Sequence, residues 1–285
     1  MKKIIVTGCN GQLGRAINRE YEKSTEYELV NTDVGELDIT DVEAVLELTD
    51  KVRPYAIINC AAYTAVDKCE TDEDNAYRIN AIGPRNLAIA AAKYGAKLVH
   101  VSTDYVFGGD GVRPYTEFDA PAPKSAYGRT KLAGEEFVKM FAKDYFIVRT
   151  AWLYGEGKNF VKTMLALSEK NSEVNVVMDQ VGSPTSATEL ARAIVSLVPT
   201  NNYGTFHGTC EGVCSWADFT EEIFRLTGRN CKVNHITSEE YKKMFPQSAD
   251  RPAYSVLDNY MLRLTGGYKF ADWKDAIAAY VRDFI

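Results

Sequence analysis

The stretch KKIIVTGCNGQLG, residues 2–14, decides the predicted fold of this chain. Residues 2–7 are a short apolar run and residues 11–23 carry apolar side chains at helical spacing, which predicts a strand, a turn and a helix. Gly8, Gly11 and Gly14 permit a tight turn, close approach of a pyrophosphate to the backbone, and packing of the helix on the strand. Amides at the helix N-terminus would then bind the phosphates, so the turn predicts a dinucleotide site. The other turn residues assigned to this site are Asn10, Gln12 and Leu13.

The alternation of strand and helix continues along the first half of the chain. The pattern predicts strands at 28–33, 56–59, 98–102 and 146–150, and helices at 40–51, 74–94 and 125–141. Thr40, with Glu43 in capping-box position, is predicted to open the second helix. Strands alternating with helices in this way are typical of an α/β fold with a doubly wound, Rossmann-type parallel sheet.

The rhythm loosens after Trp152. Helical patterns recur near 159–170, 188–198, 216–227 and 273–285, separated by loops and short strand-like runs. We therefore predict a dinucleotide-binding domain over 1–151 and a smaller, mainly substrate-binding lobe over 152–285. Parts of 152–200 are expected to pack on the first domain.

Acidic residues follow the second predicted strand. The Asp33 carboxylate lies where it can accept hydrogen bonds from an adenosine ribose. Residues 31–39 contain no Lys or Arg to bind a 2′-phosphate, which favours NADH without excluding NADPH. Asp38 and Ile39 are interpreted as contacts to the adenine, against the alternative that they only lead into the next helix.

Tyr127 and Lys131 are the candidate catalytic pair. They stand four residues apart on a predicted helix, so both project from one face. A free tyrosine titrates near ~10, and a neighbouring ammonium group brings its pKa into a useful range. Ser102-Thr103-Asp104 stands at the carboxyl end of a predicted strand, where doubly wound sheets hold their reacting groups. Alone, the Tyr and Lys spacing is also that of an ordinary surface pair.

Taken together, the motifs resemble the extended short-chain dehydrogenase/reductases, and within them the dTDP-4-dehydrorhamnose reductases. The resemblance rests on the three glycines, Asn80 and six further stretches that run through nearly the whole chain. These stretches are Asn59-Cys60-Ala61-Ala62-Tyr63-Thr64-Ala65-Val66-Asp67, Ser102-Thr103-Asp104-Tyr105-Val106-Phe107, Tyr127-Gly128-Arg129-Thr130-Lys131-Leu132-Ala133-Gly134-Glu135, Arg149-Thr150-Ala151-Trp152-Leu153-Tyr154, Asp179-Gln180-Val181-Gly182-Ser183-Pro184-Thr185 and Arg251-Pro252.

The resemblance implies reduction of the 4-keto group of dTDP-4-dehydro-L-rhamnose by NADH or NADPH. It assigns the proton donor to Tyr127, the pKa-lowering and ribose-holding ammonium to Lys131, and the hydrogen bond to the carbonyl to Thr103. The implied sugar contacts are Val66, Asp67, Asp104 and Trp152, Arg251 is a candidate for the diphosphate, and Ala61, Ala62 and Tyr63 are implied to contact the cofactor. Arg251 also has the plainer reading of a surface salt-bridge partner.

One position departs from the pattern that the resemblance implies. Some of these enzymes are dimers bridged by magnesium through acidic side chains, one of them near the start of the first helix, where this chain has Arg15. A cation repels magnesium, so we expect a monomer or a homodimer of another kind.

Composition limits the partners. The 285 residues carry a net charge of -6, which offers no basic surface for nucleic acid or membrane phosphates. The short N-terminal apolar run is not that of a signal peptide, so we expect a cytoplasmic protein. Most of the six cysteines are expected to be free thiols in a reducing compartment. Cys210, Cys214, Cys231 and His235 lack the regular spacing of a zinc site, and no metal is predicted.

Two alternatives remain at this stage. The chain would act on a different 4-keto sugar as another nucleotide-sugar reductase or epimerase, or it would be a non-catalytic regulatory subunit resembling that of methionine adenosyltransferase. The presence of Tyr127, Lys131 and Thr103 argues against the second. Only the pocket around Asp67, Asp104, Trp152 and Arg251 separates the first alternative from reduction of dTDP-4-dehydro-L-rhamnose.

Overall fold

The computed structural model describes all residues, 1–285, and contains twelve strands. They are β1 (Lys2–Thr7), β2 (Tyr27–Thr32), β3 (Ala56–Asn59), β4 (Lys97–Thr103), β5 (Tyr145–Thr150), β6 (Leu153–Tyr154), β7 (Glu173–Val177), β8 (Val181–Gly182), β9 (Thr185–Ser186), β10 (Gly204–His207), β11 (Cys214–Ser215) and β12 (Lys232–Ile236).

Twelve α-helices connect and cover these strands. They are α1 (Gln12–Tyr21), α2 (Val42–Val52), α3 (Val66–Cys69), α4 (Glu73–Tyr77), α5 (Gly83–Tyr94), α6 (Ala126–Phe141), α7 (Phe160–Ser168), α8 (Ala187–Leu197), α9 (Trp216–Thr227), α10 (Ser238–Met244), α11 (Tyr260–Leu264) and α12 (Trp273–Phe284). None of them is both long enough and apolar enough to cross a bilayer.

The central sheet has six parallel strands in the order β10-β5-β4-β3-β1-β2. The chain moves outward from β1 to β2 and then returns to the other side of β1 with β3. This reversal places a crevice at the carboxyl ends of β1 and β3, which is where doubly wound sheets bind ligands. The predicted doubly wound α/β fold is confirmed.

Both faces of the sheet are buried because helices cover them. Ile4, Val6 and Ile58 belong to a cluster of 38 buried apolar residues on one face. Ile5 and Ile57 belong to a second cluster of 14 on the other face, as alternation along a strand requires.

The C-terminal part shares its core with the sheet. The larger cluster extends to apolar side chains of α9 and α12, and α8 packs along α1. Strand β10 adds to the edge of the sheet beside β5. Helix α8 lies within 152–200, and the predicted division into two domains at residue 151, with parts of 152–200 on the first, stays a prediction.

Two helices differ from the sequence-based expectation. The side chain of Asp41, not Thr40 with Glu43, caps α2 by accepting hydrogen bonds from the amides of Glu43 and Ala44. The predicted helix over 74–94 is divided by one turn of π-helix at Arg78–Ile82 between α4 and α5. That wider turn places Asn80 among buried residues, where its amide side chain contacts a neighbouring loop.

Candidate active site

Two adjoining cavities open at the carboxyl edge of the sheet. The first, of about 510 Å³, extends from the glycine-rich turn to the ends of β4 and β5. The second, of about 550 Å³, lies over the end of β2. Of the residues assigned from sequence, the first is lined by Asn10, Gly11, Gln12, Leu13, Gly14, Ala62, Val66, Thr103, Asp104, Tyr127, Lys131 and Trp152. The second is lined by Gly8, Gly11, Asp33, Asp38, Ile39, Ala61 and Ala62.

The glycine-rich turn forms a cradle that side chains would fill. Gly8 has φ +65°, and a Cβ atom there would lie 2.8 Å from the amide nitrogen of Ala61. A Cβ at Gly14 would lie 2.6 Å from Cα of Cys9. No side chain caps the N-terminus of α1, so the amides of its first turn remain available for an anion. The cradle fits the pyrophosphate of a dinucleotide.

The Asp33 carboxylate holds this turn in place. One oxygen accepts a hydrogen bond from the backbone N–H of Asn10 at 3.0 Å, and the other accepts one from the backbone N–H of Val34 at 2.9 Å. Each carboxylate oxygen can accept further bonds, so a contact to a ribose is compatible with this arrangement.

The second cavity also has a cation that the sequence analysis did not assign. Arg78, at the first position of the π-helix, lines the same cavity as Asp33, together with Asn75 and Ile79. Residues 31–39, which follow the second predicted strand, contain no basic side chain. The positive charge instead comes from a segment distant in sequence.

Thr103, Asp104 and Tyr127 come together at the end of β4. The Thr103 hydroxyl donates a hydrogen bond to Oδ1 of Asp104 at 2.9 Å and accepts one from the Tyr105 amide at 3.2 Å. Oδ2 of Asp104 is buried without a hydrogen-bond partner. Because Asp104 lines the first cavity, a hydrogen-bond donor on a molecule bound there can satisfy this oxygen.

Burial dominates the protonation of this group. It raises the pKa of Tyr127 well above the usual value, the Asp104 carboxylate raises it further, and the Thr103 hydroxyl opposes both. Burial also raises the pKa of Asp104 from 3.8 to about 6, against the opposing effect of the Ser255 and Thr103 hydroxyls. Tyr127 therefore holds its proton at neutral pH, as a general acid must.

Lys131 has a different contact from the one the resemblance implies. Its ammonium group donates a hydrogen bond to the Val101 carbonyl at 2.6 Å, and it is not among the groups that shift the pKa of Tyr127. Burial lowers the pKa of Lys131 to about 8, with Glu135 and Cys60 opposing that shift. The lysine is thus a buried side chain that lines the first cavity.

A buried ion pair fixes the helix that carries Tyr127 and Lys131. Ser102 donates a hydrogen bond to Oε1 of Glu135 at 2.6 Å. The guanidinium of Arg149 binds both oxygens of the same carboxylate, at 2.9 and 2.7 Å. Because Ser102 is on β4 and Arg149 on β5, helix α6 is held against the ends of both strands. The paired geometry offsets the cost of burying two charges.

Tyr63 lines neither cavity. Its amide donates to Oδ1 of Asn80 at 2.8 Å and its carbonyl accepts from Nδ2 of Asn80 at 3.1 Å. Tyr63 packs against a small buried cluster that includes Cys69, and Tyr127 packs against the same cluster. The predicted contact of Tyr63 with the cofactor stays a prediction.

Trp152 forms one wall of the first cavity and stacks on Trp216. The two indole rings are 3.6 Å apart between centroids and inclined by 8°. Trp216 in turn lines a third cavity of about 610 Å³. Of the sixteen residues that line it, only Arg251 was predicted from the sequence to be a site residue. Gln180, another lining residue, belongs to one of the motifs that carry the resemblance.

Asp67 and Arg251 contact each other at the entrance to the site. They form an ion pair at 3.5 Å, and Asp67 also accepts a hydrogen bond from the Ala249 amide at 2.9 Å. The Arg251 cation opposes the rise that burial causes in the pKa of Tyr105, which lines the first cavity. Arg251 therefore lies between the first and third cavities, while Asp67 lines none of the three.

No group of three or more His, Cys, Asp or Glu side chains is placed to bind a metal ion. Cys210, Cys214 and Cys231 are buried free thiols, and His235 pairs with Glu221 at 2.7 Å.

Arg15 lies at the edge of the first cavity, where it forms an ion pair with Glu156 at 2.7 Å. Arg19 binds the second oxygen of the same carboxylate. These contacts hold the loop around Glu156, which lines the cavity, against α1.

Comparison with known proteins gives consistent matches over the whole chain. Residues 1–285 match the family described as RmlD substrate binding domain. A dTDP-4-dehydrorhamnose reductase of Aggregatibacter actinomycetemcomitans is 37% identical over 97% of each chain. The crystal structure of such a reductase from Clostridium acetobutylicum is 55% identical over 98% of each chain, with a TM-score of 0.95. One from Bacillus anthracis, in complex with NADP, is 44% identical over 100% of each chain, with a TM-score of 0.94.

Proposed function

The chain belongs to the RmlD substrate binding domain family, and from this we propose that it reduces the 4-keto group of dTDP-4-dehydro-L-rhamnose with a nicotinamide cofactor. The product is dTDP-L-rhamnose, a sugar donor. The observation that carries the proposal is the convergence of Tyr127, Thr103 and Asp104 with the glycine cradle in one cavity.

The cofactor would lie across the first and second cavities. The pyrophosphate fits the cradle of Gly8, Gly11 and Gly14, and the adenosine fits the cavity lined by Asp33, Asp38 and Ile39. When bound, the reduced nicotinamide supplies a hydride to the sugar C4. The nicotinamide end would lie in the first cavity, which Tyr127 and Lys131 line.

Tyr127 supplies the proton of the reaction. Because burial keeps the phenol protonated, it can donate to the ketone oxygen as that oxygen gains negative charge. The Thr103 hydroxyl lies beside it and orients the carbonyl. The ammonium group of Lys131, which lines the same cavity, would hold the nicotinamide ribose. The ketone gains one hydride and one proton, which balances its conversion to an alcohol.

The substrate would bridge the first and third cavities. The sugar ring would lie against the Trp152 indole and Val66, with a hydroxyl group donating to the unpartnered oxygen of Asp104. The nucleoside diphosphate would enter the third cavity, where Arg251 and Lys242 provide positive charge for the phosphates. Asp67 acts on the sugar indirectly in this arrangement, by holding Arg251.

Either reduced cofactor is accepted under this proposal. Asp33 would bind the ribose of NADH, and Arg78, which lines the same cavity, would provide the charge that a 2′-phosphate requires. The expectation of NADH rested on the absence of Lys and Arg from residues 31–39. Arg78 adds a cation from outside that segment.

The proposed location is the cytoplasm, which the six free thiols support because a reducing compartment keeps them unpaired. The proposed state is a monomer or a homodimer that does not use a metal bridge. Arg15, in the first turn of α1, pairs with Glu156, so a cation stands where the resemblance would place an acidic magnesium ligand.

The test is the loss of NADPH and NADH absorbance on addition of purified dTDP-4-dehydro-L-rhamnose, with a UDP-linked 4-keto sugar as the comparison. We expect turnover with the dTDP sugar to exceed turnover with the UDP sugar. A preference for the UDP sugar would favour the other nucleotide-sugar reductases. Absence of turnover with both, in folded protein that binds the cofactor, would favour the non-catalytic alternative.

A further inference from the structure

Trp152 adopts a backbone conformation that is unfavourable for its residue type. Its φ of 50° lies in the left-handed region, one of only two such non-glycine positions in the chain. A bulky residue is held there only when the surroundings determine its position. The contacts of the indole ring show which surroundings these are.

The Trp152 indole has two main contacts, one on the two-stranded ribbon of β8 and β11 and one on the residue that directly follows β11. Strands β8 and β11 pair antiparallel, so Gly182 lies opposite Cys214, two residues before Trp216. A Cβ atom at Gly182 would lie 2.6 Å from the Trp152 ring, so only glycine leaves room for it. Trp216, which begins α9 directly after the ribbon, stacks on the same ring.

Trp216 itself is firmly anchored. Ser215 caps α9 in a reciprocal capping box with Asp218, which fixes the first turn of the helix. The ring of Phe160 packs on Trp216 with centroids 4.4 Å apart. The stack therefore joins a well-held residue to Trp152, the residue that forms the sugar-facing wall.

We propose that Trp216 is a positioning residue that fixes Trp152 as the wall of the sugar site. The identity of the substrate in this inference rests on the proposed function. The stack itself rests on the ring geometry alone. In this account Trp216 acts on the sugar through Trp152, without touching it.

The kinetic test is a double-mutant cycle with Trp216→Leu and Trp152→Ala. We expect Trp216→Leu to raise KM for the keto-sugar nucleotide by about fivefold to tenfold, the size of one lost aromatic stack, while KM for NADPH is unchanged. Trp216→Phe, which keeps an aromatic ring, should restore most of the loss. The double variant should be no worse than Trp152→Ala alone, because Trp216 then has nothing to position.

Two kinetic results would overturn the proposal. Additive losses in the double variant would mean that Trp216 contacts the substrate itself, since it also lines the third cavity. A lower kcat with unchanged KM in Trp216→Leu would mean a general loss of active protein.

A spectroscopic test needs no substrate. Two stacked indoles couple electronically and give a pair of far-ultraviolet circular-dichroism bands of opposite sign. This chain has three tryptophans, so Trp273→Phe, in which the buried third ring is replaced, is the matched control. The paired bands should vanish in Trp216→Leu and persist in Trp273→Phe. Their persistence in Trp216→Leu would overturn the proposal even if the wild type did not reduce the keto sugar, which would count only against the proposed function.

Discussion

Replacing Asp104 by asparagine should change how the stability of the protein depends on pH. Asp104 is 3% exposed, and one of its oxygens has no hydrogen-bond partner. Burial raises the pKa of this carboxyl from 3.8 to about 6. The folded protein therefore holds a proton on Asp104 over a range in which the unfolded chain has lost it, so folding becomes less favourable as pH rises from about 4 to about 6.

The size of the effect follows from the shift. A rise of roughly 2 pKa units in the folded state corresponds to ~3 kcal/mol of lost stability across that window. Asparagine has nearly the same shape and stays neutral, so the Asp104→Asn variant lacks this loss. Its free energy of unfolding relative to the wild type should improve by ~2–3 kcal/mol between about pH 4 and pH 7.

Urea unfolding of both proteins at several pH values in this range measures the difference directly. Other groups titrate in both proteins and cancel when one curve is subtracted from the other. Asp119→Asn serves as a control, because Arg113 holds the pKa of Asp119 well below its usual range. The stability that this carboxylate contributes is lost only below about pH 4, so the difference between wild type and Asp119→Asn should stay flat from about pH 4 to pH 7. A difference between wild type and Asp104→Asn that does not vary with pH would refute the reasoning.

Three further predictions concern the cofactor and the acid. Tyr127→Phe should lower kcat by ~100-fold or more with little change in cofactor Kd, and near-normal turnover would remove Tyr127 as the proton donor. Arg78→Ala should weaken NADPH binding by about tenfold or more while leaving NADH nearly unchanged, as fluorescence titration would show; equal losses would place Arg78 on the shared adenosine. Gly14→Ala should weaken both cofactors together, because the added methyl group would displace the backbone at Cys9, and unchanged binding would contradict the cradle.

Local signals in the sequence were sufficient for the fold and for part of the site. The spacing of Gly8, Gly11 and Gly14 reflects contacts made within the turn or with the adjacent strand β3, so the pattern can be seen directly. Tyr127 and Lys131 share a helix, and their spacing alone predicts a common face. Strand and helix alternation likewise predicts the order of elements without knowledge of any contact.

Features built from distant segments could not be predicted. Trp152 and Trp216 are far apart in sequence, and their stack depends on the pairing of β8 with β11. Arg78 lines the second cavity from the first position of a π-helical turn, which leaves no mark in the hydrophobic pattern. Lys131 was assigned a direct effect on Tyr127, yet its ammonium group binds the Val101 carbonyl, a contact set by the depth of α6 against β4.

Small shifts in capping show the same limit. Thr40 and Glu43 satisfy the capping-box pattern, but Asp41 lies one residue closer to the helix and its carboxylate accepts from two amides. Residues of similar capping ability that stand side by side compete, and the path of the preceding loop decides between them.

The most direct test of the central claim follows the hydride itself. Purified protein would be incubated with dTDP-4-dehydro-L-rhamnose and NADPH deuterated at the nicotinamide C4, on the face that the enzyme uses, and the product analysed by mass spectrometry and NMR. The account predicts dTDP-L-rhamnose with one deuterium at the sugar C4, and almost none of it from Tyr127→Phe. Cofactor-binding wild-type protein that forms no such product, or forms it with hydrogen at C4 from solvent, would contradict the account.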